Sequence, residues 1–166
     1  MNRRRFLTSL SGMLAYSWLP AIAKEGNVVT PLAKPKSEWK ALLPANSYRV
    51  LFEEDTEPPG SSPLNEEKRA GTFVCAACSL PLFASSTKFE SGTGWPSFYD
   101  HLPDSVAMKT DYKLVLPRTE YHCARCGGHQ GHVFEDGPKP TGLRYCNNGL
   151  ALRFVPENEK LPELRA

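Results

Sequence analysis

Two C-x2-C pairs, Cys75-Ala-Ala-Cys78 and Cys123-Ala-Arg-Cys126, constrain this chain more than any other feature. Each pair sets two thiols on one tight turn, and two such turns can supply the four thiolates of a tetrahedral structural zinc site. The pairs stand 44 residues apart, well beyond the spacing of a compact zinc ribbon. A shared metal would therefore pin together two hairpins that are distant in sequence. Four thiolates also fill the tetrahedron, which assigns the metal to architecture and not to chemistry. Two disulfides, or iron in a rubredoxin-like site, are the other arrangements open to these residues. His122, beside Cys123, is a conceivable substitute ligand that a full set of thiols makes unnecessary. The fifth cysteine, Cys146, has no partner in this count and is either inert or the reactive group.

The 166 residues, 40% hydrophobic and 10% aromatic, suffice for one domain with a real core. Residues 1–23 hold three of the 20 basic residues and no acid, leaving 17 basic against 18 acidic side chains in the rest. That balance gives no reason to expect nucleic acid or an anionic membrane as partner. The segment itself reads as an address. Arg3-Arg4-Arg5-Phe6-Leu7 precedes a short apolar run and Ala21-Ile22-Ala23, as in a cleavable export signal of twin-arginine type. The run is short and broken by Ser9, Ser11, Gly12 and Ser17, which argues against a membrane span. The expected organisation is a signal over 1–23, a linker over 24–36 and one domain over 37–166, exported to a bacterial periplasm.

Fifteen prolines and twelve glycines scattered without repeat predict many turns and short strands. A short helix is expected over 37–43, capped by Ser37 and stopped by Pro44. A strand is expected over 48–52, and a loop over 57–63. From Gly71 the pattern predicts strands at 72–74, 82–83, 106–109, 112–116, 119–122, 131–134, 143–147 and 150–155. The class is mainly β.

Three further segments carry chemistry. Within a strand over 143–147, residues two apart share a face, so Arg144 and Cys146 point the same way. A guanidinium there favours the thiolate; the bland alternative is a buried structural cysteine. Gly127-Gly128-His129-Gln130-Gly131-His132 places two imidazoles three apart among glycines, with Asp136 four residues on. An imidazole can donate a proton near neutral pH, and a carboxylate can orient it. Gly94-Trp95-Pro96 sets a large ring on a flexed turn, suited to a core plug or to the wall of an apolar pocket.

Taken together these segments resemble the methionine-R-sulfoxide reductases, the B-type methionine sulfoxide reductase family, over about residues 37–156. The residues that carry the likeness are the first knuckle with Leu82-Phe83, Lys88 through Phe98, the second knuckle, His129 through Gly137, and Pro140 through Cys146. The resemblance implies an antiparallel β-sandwich of two small sheets with the zinc remote from the catalytic thiol. It makes Cys146 the nucleophile and Cys75, Cys78, Cys123 and Cys126 the ligands of one structural zinc. His129, His132, Asp136, Arg144 and Asn148 match polar residues that line the site, assist proton transfer or activate the thiol. Trp95 matches the indole packed on the sulfoxide's methyl group, and Phe134 also falls at the substrate.

The implied activity is reduction of the R epimer of methionine sulfoxide, free or in proteins, through a Cys146 sulfenic acid. Thr93 stands where many members carry a recycling cysteine, so an external thiol, thioredoxin-like or small, is expected as reductant, and a monomer as the working form. Gln130, Asn147 and Gly149 replace a usual leucine, Ile or Val, and serine. A zinc-stapled binding module and an iron electron carrier are the competing classes.

Overall fold

The computed structural model describes residues 29–113 and 116–166. The expected signal, and the start of the expected linker, lie outside them. Val29 and Leu32 pack against the core, and the Leu32 N–H donates to the Arg125 carbonyl at 2.6 Å.

Among the described residues, two helices precede the sheets. Helix α1, Lys36–Leu42, buries Trp39. It begins after Pro35 with no side-chain cap, so Ser37 lies inside the first turn and does not cap it. Helix α2, Ala45–Glu53, occupies the segment expected to be a strand. Its β-formers mislead, because Tyr48, Leu51 and Phe52 are spaced i, i+3, i+4 and so form one helical stripe. All three are buried, and Phe52 stacks on Trp39 with ring centroids 5.7 Å apart. Glu54 closes the helix in the left-handed region, φ 55°.

The strands are β1 Gly71–Cys75, β2 Pro81–Ala84, β3 Lys88–Phe89, β4 Ser97–Phe98, β5 Val106–Asp111, β6 Arg118–Cys123, β7 His129–Phe134, β8 Arg144–Asn147 and β9 Leu152–Pro156. They form an antiparallel three-stranded sheet, β2-β1-β9, and a six-stranded sheet, β3-β4-β8-β7-β6-β5. The strand expected at 112–116 is absent where described: β5 runs unbroken to Asp111, and Tyr112 and Lys113 begin the turn into β6. Leu150, expected to open a strand, lies in a short 3-10 turn, Gly149–Ala151.

An aromatic layer joins the sheets. Phe73 and Phe83 from the smaller sheet meet Phe98 from the larger at 4.9 and 4.3 Å between centroids. Tyr121 and Tyr145 continue the layer at 5.3 Å. Phe73, Phe83, Phe98 and Tyr121 are fully buried, and burial of one such ring is worth about 1.5–3 kcal/mol. Tyr145 is in β8, so this packing fixes the strand that carries Cys146, and alternation turns Cys146 to the opposite face.

Candidate active site and metal centre

The knuckles fall at strand ends. Cys75 ends β1 in the small sheet and Cys123 ends β6 in the large one, and each strand turns immediately through the second cysteine of its pair. The four sulfurs all lie within 4.8 Å of one another, with Cys75–Cys126 at 3.7 Å and Cys78–Cys123 at 3.5 Å. Those separations exclude disulfides, whose sulfurs sit about 2.05 Å apart. They fit a tetrahedron with metal–sulfur bonds of about 2.3 Å, whose edges are about 3.8 Å. The four residues thus fit one metal ion that clamps the two sheets together.

Cys146 lies away from this centre, in the middle of the large sheet. Across the ladder it faces His132 of β7 on one side and Ser97 of β4 on the other. Directly opposed side chains on one face stand about 5 Å apart at Cβ, which brings thiol and imidazole together. The strands close tightly beside it: a Cβ on Gly131 would fall on the Cys146 carbonyl, so this position must be glycine. The two histidines, three apart, would ordinarily point to opposite faces. A β-bulge corrects this. His122 pairs with His129 while Tyr121 pairs with Gly131, leaving Gln130 as the extra residue. The inserted residue brings the two rings within 5.5 Å of each other, as bulges beside functional sites do.

Neither imidazole is oriented by Asp136. The His132 Nε2–H donates to Asp111 Oδ2 at 2.8 Å, and the His129 Nδ1–H donates to Glu120 Oε1 at 2.7 Å. Asp136 instead grips Arg144 through two parallel bonds, from Nε at 2.7 Å and Nη2 at 2.8 Å. The guanidinium carbon also lies 4.4 Å over the Phe134 ring. Glu120 is buried, which pushes its carboxyl up, but the hydrogen bonds from His122 and His129 prevail and hold it at about 2. Asp111 also sits below its ordinary range, held by the Lys113 backbone N–H, His132 and Arg118. Sequence reasoning missed Asp111, Arg118 and Glu120. The signal was there in part: Arg118, Glu120 and His122 alternate along β6 and so share one face beside the histidine strand.

A cavity of about 120 Å³ opens on the sulfur, lined by Trp95, Phe134, His132, Arg118, Cys146 and Asn148 among others. The Trp95 indole is fixed, because Nε1–H donates to the Glu57 carbonyl at 3.0 Å. The Asn148 amide is tied at both ends: Oδ1 accepts from the Glu57 N–H at 3.1 Å and Nδ2 donates to the Gln130 carbonyl at 3.1 Å. Glu57 also caps the following turn, accepting from Gly149 N at 2.6 Å and Leu150 N at 2.9 Å. A side chain on Gly149 would collide with Ser62, so Ser62 fills the space that the departure at 149 leaves. Five of the residues expected at the site (Cys146, His132, Trp95, Phe134 and Asn148) line this cavity. Arg144 and Asp136 lie beside it. His129 is buried behind His132, only 3% exposed.

The thiol is not pre-ionised. Burial pushes Cys146 above its ordinary value, and Asp136 adds to this. The Arg144 charge and hydrogen bonds from Thr93 and Arg144 pull it down without prevailing. Burial also pushes His132 down, helped by the Arg118 and His129 charges, although the Asp111 hydrogen bond opposes this. At neutral pH the pair is therefore a thiol facing a neutral imidazole. Alkylation of Cys146 by iodoacetamide, followed by mass spectrometry, should accelerate with pH through a midpoint above that of an ordinary cysteine. Arg144→Met should move the midpoint higher still, since it removes a cation that favours the thiolate. A midpoint below neutrality would contradict this electrostatic picture.

Residues 43–156 match the SelR domain family. The chain is 52% identical over 127 residues to the peptide methionine sulfoxide reductase MsrB of Methanosarcina barkeri, covering 76% of this chain and 89% of that one. It is 51% identical over 126 residues to the protein of the same name from Pseudomonas putida, covering 75% and 95%. The counterpart from Leptospira interrogans is 49% identical over 125 residues, covering 75% and 95%. The matched range, 43–156, spans both knuckles, the histidine strand and the Cys146 strand, and the chain belongs to the SelR-domain, MsrB family.

Proposed function

We propose that this protein is a methionine sulfoxide reductase that acts on the R epimer, with Cys146 as nucleophile and a structural zinc at the knuckles. One observation carries the reading. The only cysteine outside the four-sulfur cluster faces an imidazole across one ladder, at a small cavity walled by a fixed indole.

The relatives' names supply the substrate class, and the residues supply the chemistry. Trp95 and Phe134 offer apolar contact to the methyl group, while Arg118 brings a donor toward the oxygen and His132 becomes one once protonated. Because Asp111 holds Nε2–H of His132, Nδ1 can take the Cys146 proton as the thiol attacks. The imidazolium formed is stabilised by Asp111 and returns that proton to the sulfoxide oxygen. In sum, the thiol sulfur loses two electrons and gains the OH as sulfenic acid, and the sulfoxide sulfur gains two electrons and leaves as the thioether. No outside proton is needed.

Zinc, once bound to Cys75, Cys78, Cys123 and Cys126, holds the two sheets and takes no part in turnover. Thr93 stands where many members carry a recycling cysteine, and the four other thiols are gathered at the knuckles. The sulfenic acid therefore requires an external thiol, which condenses with it to a mixed disulfide and water; a second external thiol then attacks the outer sulfur and releases Cys146 as the thiol, leaving the two external thiols joined as a disulfide. The test is turnover of each sulfoxide epimer with dithiothreitol. Consumption of the R epimer alone is expected; turnover of S alone, or of neither, refutes the reading.

A further inference from the structure

The extra residue of the β7 bulge reaches away from the catalytic cavity. Gln130 is fully buried, and its Nε2 donates to the Cys75 sulfur at 3.7 Å and to the Gly128 carbonyl at 3.5 Å. Its Oε1 accepts from Asn147 Nδ2 at 3.5 Å. Asn147 is also fully buried, and it is the residue next to the nucleophile. It is locked in turn: Oδ1 accepts from the Tyr121 hydroxyl at 2.6 Å, and Nδ2 donates to the Asn148 carbonyl at 2.7 Å. Two departures from the family pattern, at 130 and 147, thus touch each other. A buried amide is costly unless it is satisfied. Gln130 supplies an acceptor to Asn147, and Asn147 fixes the amide plane of Gln130. One end of this bridge meets a knuckle sulfur and the other the strand that carries Cys146.

We propose that Gln130 is an outer partner of the metal centre, oriented by Asn147, so that the residue beside the nucleophile governs how tightly the metal is held. The inference rests on the metal reading above. A thiolate bound to a dication keeps enough negative charge to accept an N–H, and such outer hydrogen bonds fix the ligand's direction. Their loss typically weakens metal binding about 10–100-fold. Asn147 hydrogen-bonds none of the four ligands, and its one hydrogen-bonded link to a ligand sulfur runs through Gln130.

The experiment is competition for Zn²⁺ between the protein and a chromophoric chelator, run on wild type, Gln130→Met, Asn147→Ile and the double variant, with far-ultraviolet circular dichroism confirming the fold. Methionine keeps the length of glutamine, and the double variant leaves neither amide stranded. Gln130→Met is expected to weaken Zn²⁺ binding about tenfold. Asn147→Ile should weaken it by a smaller factor, and the double variant no more than Gln130→Met alone, the non-additivity of residues acting in series. Equal affinity in all four proteins, or effects that simply multiply, overturns the proposal and leaves the metal reading standing. A folded wild type that takes up no Zn²⁺ overturns both.

Discussion

Cys146→Ser should reduce methionine sulfoxide turnover to less than about a thousandth of the wild-type rate, because nucleophilic catalysis fails without its nucleophile. A hydroxyl is isosteric enough to keep the site's shape, but it is not appreciably ionised near neutral pH and cannot take up the oxygen as a sulfenic acid does. The fold should survive. Cys146 is only half-buried, and the core-facing neighbours of β8, Tyr145 and Asn147, are untouched. Steady-state assay with dithiothreitol, beside a melting curve, measures both halves. Activity above that level in a variant with a wild-type melting curve would remove Cys146 from the mechanism.

The second large effect falls on stability. Cys126→Ser leaves three thiols of a four-thiol cluster, and metal binding of this kind is coupled to folding. Structural zinc contributes about 10–16 kcal/mol in zinc-finger peptides, against a net stability of about 5–15 kcal/mol for a whole domain. Losing even a third of the zinc contribution should lower Tm by about 7–20 °C, and chelation of the wild type should do the same. The reason is topological: the clamp joins β1 to β6, strands of different sheets that are otherwise tied at that end by side-chain packing and by single hydrogen bonds, such as Gln130 to Cys75 and the Arg165 bonds to Cys78 and Arg125. Calorimetry of the variant and of chelated wild type checks this. An unchanged Tm in both would make the cluster dispensable.

The pattern of what the sequence discloses is physical. The knuckles were legible because four thiols on two turns have few uses, and Arg144 with Cys146 because strand alternation is rigid. Helix α2 was not, since its aromatic and β-branched residues carry strand propensity while the i, i+3, i+4 stripe that decides the matter spans only two turns. The carboxylate partners of the histidines were hidden for another reason. Asp136 is near His132 in sequence, but Asp111 and Glu120 reach the imidazoles across the sheet, and pairing between strands cannot be read from local spacing. The bulge at Gln130 is invisible for the same cause: it exists only relative to β6. Gln130 and Asn147, which in the sequence are only two separate departures from the family pattern, prove to be partners in one buried bridge.

The central claim is that Cys146 alone takes the oxygen while the other four thiols stay committed to the metal. The most direct measurement is a single turnover: reduced, metal-loaded protein mixed with one equivalent of the R sulfoxide, without reductant, then trapped with a sulfenic-acid reagent and mapped by mass spectrometry. One methionine should be released per chain, with the reagent on Cys146 and no modification at Cys75, Cys78, Cys123 or Cys126. A disulfide from Cys146 to any of those four, with metal released, would contradict it.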